Sequence, residues 1–72
     1  MNYRVGIGGN LYVWSKNDCE IIALCDKIGK ARSSMYWNRK FKVWTIRIKN
    51  KKQKVKTLFL VKGYKALSPQ WG

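Results

Sequence analysis

Three carboxylates, two cysteines and no histidine are what this 72-residue chain has of the side chains that most often hold a metal or act as general acid or base near neutral pH. Asp18, Glu20 and Asp26 and the thiols of Cys19 and Cys25 all fall in one short window. General acid-base chemistry wants a histidine or a second carboxylate with a displaced pKa, and a nucleophilic thiol wants a base beside it. Metal-assisted hydrolysis wants clustered carboxylates, and two cysteines without histidine make a poor zinc site. Asp18 and Glu20 also have a simpler use as helix-capping groups. The expectation is a protein that is not an enzyme and carries no cofactor and no metal.

What the chain does offer is positive charge. It holds 16 Lys and Arg against 3 Asp and Glu, for a net charge of +13. All of the cations but Arg4 and Lys16 lie from Lys27 onward, a stretch without one Asp or Glu. A fold that used its lysines for internal ion pairs would scatter carboxylates among them. This field is offered outward, and a field of that sign and density points first to a phosphate-bearing partner. From Arg32 to Lys56 the cations alternate with aromatics. The candidate nucleic-acid-binding residues are Arg32, Trp37, Arg39, Lys40, Lys42, Arg47, Lys49, Lys51, Lys52 and Lys54. Guanidinium forks read guanine edges, so Arg32, Arg39 and Arg47 are the candidates for base contacts and the lysines for position. Trp37 either sits in a small core or stacks on a base. Lysines also keep strand edges from pairing, which would account for some of the run but not for the missing carboxylates.

The elements that must position these groups can be read from periodicity. Tyr3, Val5 and Ile7 alternate with Arg4 and Gly6, Gly8-Gly9-Asn10 make a turn, and Leu11 to Trp14 return, which predicts a hairpin. The glycines do not form a phosphate cradle, because a strand rather than a helix follows them. Ser15 with Asp18, or Asn17 with Glu20, has capping-box spacing; Ile21, Leu24, Cys25 and Ile28 form one helical stripe, and Gly29 suits the C-terminal cap. On that helix Cys19 and Cys25 stand about 9 Å apart along the axis, too far for a disulfide, so both are expected reduced and packed as small core hydrophobes. Ser34 to Trp37 reads as a short strand, Asn38-Arg39-Lys40 as a turn, and Phe41 to Lys49 as the longest strand. Trp44, Ile46 and Ile48 then share its core face, with Val43, Thr45, Arg47 and Lys49 on the other. Asn50-Lys51-Lys52-Gln53 reads as a hairpin tip and Lys54 to Val61 as a returning strand. A helix over Lys54 to Lys65 also fits, because Val55, Leu58, Phe59 and Lys62 have helical spacing. The tail from Tyr64, with Pro69 and Trp71, docks or frays. The expected fold class is α+β, a single small domain over residues 1–72. It comprises an N-terminal hairpin, one helix and a three-stranded antiparallel meander.

The run Ser34-Met35-Tyr36-Trp37-Asn38-Arg39-Lys40-Phe41-Lys42-Val43-Trp44-Thr45-Ile46-Arg47-Ile48 resembles the sheet of the ethylene-response-factor type DNA-binding domain. It shares an aromatic, a basic turn, a tryptophan, and alternating apolar and basic residues ahead of a Lys-rich segment. In mobile-element and phage proteins that domain often follows a homing-nuclease module. The resemblance implies that Arg39, Trp44 and Arg47 face DNA. Here the helix precedes the sheet, and the glycine-aromatic close after the third strand is missing. The run Ile21-Ile22-Ala23-Leu24-Cys25-Asp26-Lys27-Ile28-Gly29 is similar to the helix of LAGLIDADG homing endonucleases. The metal-binding acidic position of that family falls on Ile28, so this resemblance implies no cutting centre.

Together these readings predict a noncatalytic nucleic-acid-binding protein, a DNA-binding regulator of a phage or mobile element. Its partner would be duplex DNA in preference to RNA, met by a sheet face and two hairpin tips. The rival is a small effector that docks on an acidic host protein such as RNA polymerase and inhibits or redirects transcription, anchored by Trp14, Trp37 or Trp71. No membrane partner is expected, because no stretch approaches the ~20 apolar residues of a span. No signal-peptide core is seen either, so the expected location is the cytoplasm, that of the host cell for a viral chain.

Overall fold

Gly8 and Gly9, at φ of 87° and 83°, reverse the chain between β1 (Asn2–Val5) and β2 (Leu11–Ser15). Both lie in the left-handed region that glycine enters without steric penalty. Strand β1 stops two residues short of Ile7, which sits on the turn and is 99% exposed. The computed structural model describes residues 1–61. Within it follow α1 (Asp18–Ile28), a 3-10 turn at Arg32–Ser34, β3 (Tyr36–Asn38), β4 (Val43–Ile48) and α2 (Lys51–Val61). The fold is α+β, with one antiparallel sheet ordered β1-β2-β4-β3.

Helix α1 begins on a relay. Asn17 Oδ1 accepts the Cys19 N–H at 3.0 Å, while the Asn17 N–H donates to Ser15 Oγ, whose hydroxyl donates to Glu20 Oε1 at 2.6 Å. In effect Ser15 is inserted into a capping box between the cap and its glutamate. Gly29, at φ 74°, closes the helix, with Lys30 N–H bonded to the Cys25 carbonyl. The stripe Ile21, Leu24, Cys25 and Ile28 packs on Leu11, Val13, Ile46 and Ile48, all buried, and this is the core. Of the two cysteines expected in the core only Cys25 is buried, which pushes its thiol above its ordinary pKa; Cys19, in the first turn of α1, is exposed.

The expected three-stranded meander is corrected here. Residues Lys54–Val61 are not a returning strand; they belong to α2, and Lys51 and Lys52 are its first turn rather than a hairpin tip. Asn50 decides this: its Oδ1 accepts the Gln53 N–H at 3.1 Å, and its carbonyl accepts the Lys54 N–H at 2.8 Å. A side-chain acceptor that satisfies an orphan N–H favours helix where the residue types alone are ambiguous. The sheet is four-stranded because β4 pairs with β2 on one side and β3 on the other. Ser34 belongs to the 3-10 turn and not to β3. The tail from Tyr64 and the remainder of the alternative helix beyond Val61 lie outside the described residues.

Register places Trp14, Thr45 and Tyr36 in one row on the sheet face away from the core. Trp14 and Thr45 are buried, and Thr45 Oγ1 has no hydrogen-bond partner. A buried hydroxyl without a partner costs about 1–3 kcal/mol, and valine has the same shape without it. Thr45→Val is therefore expected to raise stability by about 1 kcal/mol in denaturant melts. A loss of stability would mean that the hydroxyl is satisfied in solution.

Candidate nucleic-acid interface

On the outer face of the sheet, Arg47 of β4 pairs across from Tyr12 of β2, and Tyr36 of β3 sits one row away on the other side of β4. This brings together residues from two hairpins that periodicity could not relate. Beside them the loop after α1 delivers Lys30 and Ser34. The result is an open concavity of about 440 Å³ lined by Tyr12, Lys30, Ser34, Tyr36, Arg47 and Lys49. No carboxylate is among these lining residues. The Ser34 hydroxyl donates to the Ala31 carbonyl, so its proton is already used. Burial first, then the nearby Tyr12, push the Tyr36 phenol above its ordinary pKa, while Arg47 pulls it down. Tyr36 therefore keeps its proton at neutral pH and can donate it. Three cations and a phenol converging without a carboxylate suit an oxygen-rich anion such as a phosphate.

The loop that carries Lys30 is pinned by a two-pronged ion pair. Arg32 Nε donates to Asp26 Oδ1 at 2.9 Å, and its Nη2 donates to Oδ2 at 2.7 Å. Arg32 was expected to meet nucleic acid; its guanidinium fork is instead held by this carboxylate, and it positions the loop. The pair also removes Asp26 as a competing anion. The Arg32 hydrogen bond holds the Asp26 carboxyl below its usual pKa. A depressed carboxylate contributes stability above its unfolded-state pKa, and the contribution fades as pH falls through the lowered native value. Carboxyl NMR titration is expected to show Asp26 titrating below the usual aspartate range, and Arg32→Gln to restore it. An ordinary Asp26 value in the native protein would mean that the pair does not form.

The other predicted residues divide into three groups. Arg39, Lys40 and Lys42 are exposed on the β3–β4 turn. That turn is held by Asn38 Oδ1, which accepts the N–H groups of Lys40 and Phe41. Lys51 and Lys52 are exposed at the opposite end of β4. The third group is engaged in the fold. Lys54 Nζ donates to the Gly9 carbonyl at 2.9 Å and ties α2 to the first hairpin. Trp37 lies edge-on to Trp44, with ring centroids 5.4 Å apart, on the face that carries the core. Neither tryptophan shares a face with Arg47, contrary to the placement of Trp44 that the family resemblance implied. Trp37 remains 44% exposed at the sheet edge.

One part of the expected interface is closed. Val43 and Thr45, which share a face with Arg47, are buried at 4% and 0% exposure. The sheet therefore does not lie flat in a groove along the whole of β4. Its cations instead form two clusters, the concavity at one end and the Arg39–Lys42 turn at the other. Five residue steps along β4 separate them by about 17 Å. Sequence reasoning did not single out Lys30, Tyr12 or Tyr36 as site residues: Lys30 stands in the loop after α1, and the two tyrosines lie within β2 and β3, where strand pairing sets them beside Arg47.

No family model matches the chain, and neither does any curated protein or solved structure. None of the described helices is long and apolar enough to cross a membrane.

Proposed function

We propose that this is a noncatalytic nucleic-acid-binding protein that grips duplex DNA by its phosphates, as a regulator belonging to a phage or mobile element and acting in the cytoplasm. The observation that carries the reading is the concavity in which Lys30, Arg47 and Lys49 converge with the Tyr36 hydroxyl and no carboxylate. A second cluster about 17 Å away can reach the backbone on the other side of a major groove that is ~12 Å wide. With Arg32 engaged by Asp26, Arg39 and Arg47 remain as the guanidinium groups available for base edges. Phosphate contacts then dominate, and they set position more than sequence preference. Two of the three carboxylates already serve the fold, Glu20 at the helix cap and Asp26 on Arg32, which supports binding over catalysis.

A fluorescence-anisotropy titration of a generic duplex across a salt series tests this. If six to eight cations meet phosphates, the log–log slope is expected near −5 to −7, and affinity falls by ~10³-fold or more from low to moderate salt. Duplex DNA is expected to bind more tightly than duplex RNA, whose deep, narrow major groove admits side chains poorly. Absence of binding at ~50 mM salt would overturn the reading and favour the rival, an acidic protein partner.

A further inference from the structure

On the opposite side of the molecule, α1 and α2 leave a groove between them with a different character. One depression, lined by Cys19, Glu20, Ala23, Leu24, Lys27 and Leu60 together with the N-terminus, lies beside a second of about 470 Å³ lined by Lys27, Val55, Lys56, Phe59 and Leu60. They share Lys27 and Leu60 and so adjoin along the α1–α2 seam. Val55 is 62% exposed and Phe59 82%, although both are large and apolar. Positions 52, 55, 56 and 59 recur at i, i+3, i+4 and i+7, so α2 presents a stripe of Lys, Val, Lys and Phe outward. An apolar patch rimmed by charge, on an element whose other face already packs on the core, marks an interaction surface.

We propose that this groove docks an acidic amphipathic helix of a partner protein, through apolar anchors that cover Phe59 and Val55 and carboxylates that meet Lys27 and Lys56. Charge complementarity selects the occupant. A second copy of the chain would bring another charge of +13 against this one, and the depression around Phe59 has no carboxylate in its lining to offset the repulsion. An anionic lipid surface would match the charge but supplies no side chain to fill a concavity. The 11 residues of α2 give the groove a length of about 16 Å, which fits three turns of helix with anchors four residues apart. The aromatic anchor is Phe59; Trp14 and Trp37, two of the tryptophans expected for that role, do not line this groove. The surface is separate from the phosphate-binding concavity, so the protein could hold DNA and a partner together.

The test uses the whole isotope-labelled protein and a synthetic acidic helical peptide of about 14 residues, with leucines at i and i+4 among glutamates. Saturable amide shifts are expected at Ala23, Lys27, Val55 and Phe59. Affinity should fall at least ~10-fold in Phe59→Ser and in Val55→Glu, since a central aromatic anchor dominates such interfaces. Both positions are exposed, and circular dichroism confirms the fold of each variant. Arg47→Glu should bind the peptide as the parent does. The proposal is overturned by shifts confined to Lys30, Arg47 and Lys49, or by equal affinity for a peptide whose leucines are replaced by serine. It is also overturned by Phe59-dependent binding to phosphatidylglycerol vesicles without peptide binding, or by Phe59-dependent dimerisation in sedimentation.

Discussion

Replacing Arg47 and Lys49 together by glutamate is expected to weaken duplex binding by at least ~10²-fold at ~100 mM salt and to flatten the salt slope by about two. Two of the three cations that line the concavity would become anions, and the incoming phosphate would meet repulsion in place of a charge-assisted hydrogen bond. Both side chains are exposed, so the fold should persist and the melting temperature should hold or rise as self-repulsion among the cations is relieved. Lys27→Glu with Lys56→Glu supplies the charge-matched comparison, because it makes the same change in net charge on the helical side. If both double variants weaken binding equally, affinity follows net charge and the concavity has no special part in it. If the Arg47 and Lys49 variant unfolds, those residues hold the sheet together and the interface lies elsewhere.

Ile46→Ala is expected to be the most damaging truncation for stability. Ile46 is fully buried on β4, pairs across from Val13 and packs into the cluster with Ile21, Leu24, Cys25 and Ile28. Removing three buried carbons and leaving a void costs about 2–5 kcal/mol. A chain of this size has roughly 4–11 kcal/mol to lose, and sixteen cations hold it toward the lower end. The midpoint should fall by on the order of 10–30 °C in a thermal melt followed by circular dichroism. Duplex DNA should restore part of that loss by binding the folded state alone. Val55→Ala, an exposed comparator, should change stability by no more than about 0.5 kcal/mol. A drop of under about 5 °C for Ile46→Ala would mean that the core does not close around β4 as described.

Helix α1 and strand β4 were legible because several local signals agreed. Asn17, Glu20, the Ile21–Ile28 stripe and Gly29 name the same helix, and the alternation from Trp44 to Ile48 assigns the faces of β4 correctly. Residues Lys54–Val61 were misread because Val55, Thr57, Phe59 and Val61 favour strands while Leu58, Leu60 and the lysines between them favour helix. The tie was broken at Asn50, whose side chain serves a turn and a helix start equally well until its hydrogen bonds are known. The candidate site was half legible. Charge composition singled out Arg47, Lys49 and the Arg39–Lys42 turn. Lys30, Tyr12 and Tyr36 join them only through the order β1-β2-β4-β3, and strand order is a property of the assembled sheet that local pattern does not carry. Arg32 was counted with the free cations because its partner, Asp26, lies on the preceding helix and their approach depends on the Gly29 reversal.

That strand order also bears on how the chain is made. The two inner strands, β2 and β4, are separated in sequence by a helix, a turn and an edge strand, so the centre of the sheet cannot close until Ile48 has been synthesised. Before then the first hairpin stands alone, and a two-stranded ribbon is marginal in water. During elongation the apolar run from Leu11 to Trp14 therefore has an open edge. A fragment ending before β4 would carry that edge permanently, and it should be lost to aggregation or proteolysis instead of accumulating as a smaller folded protein.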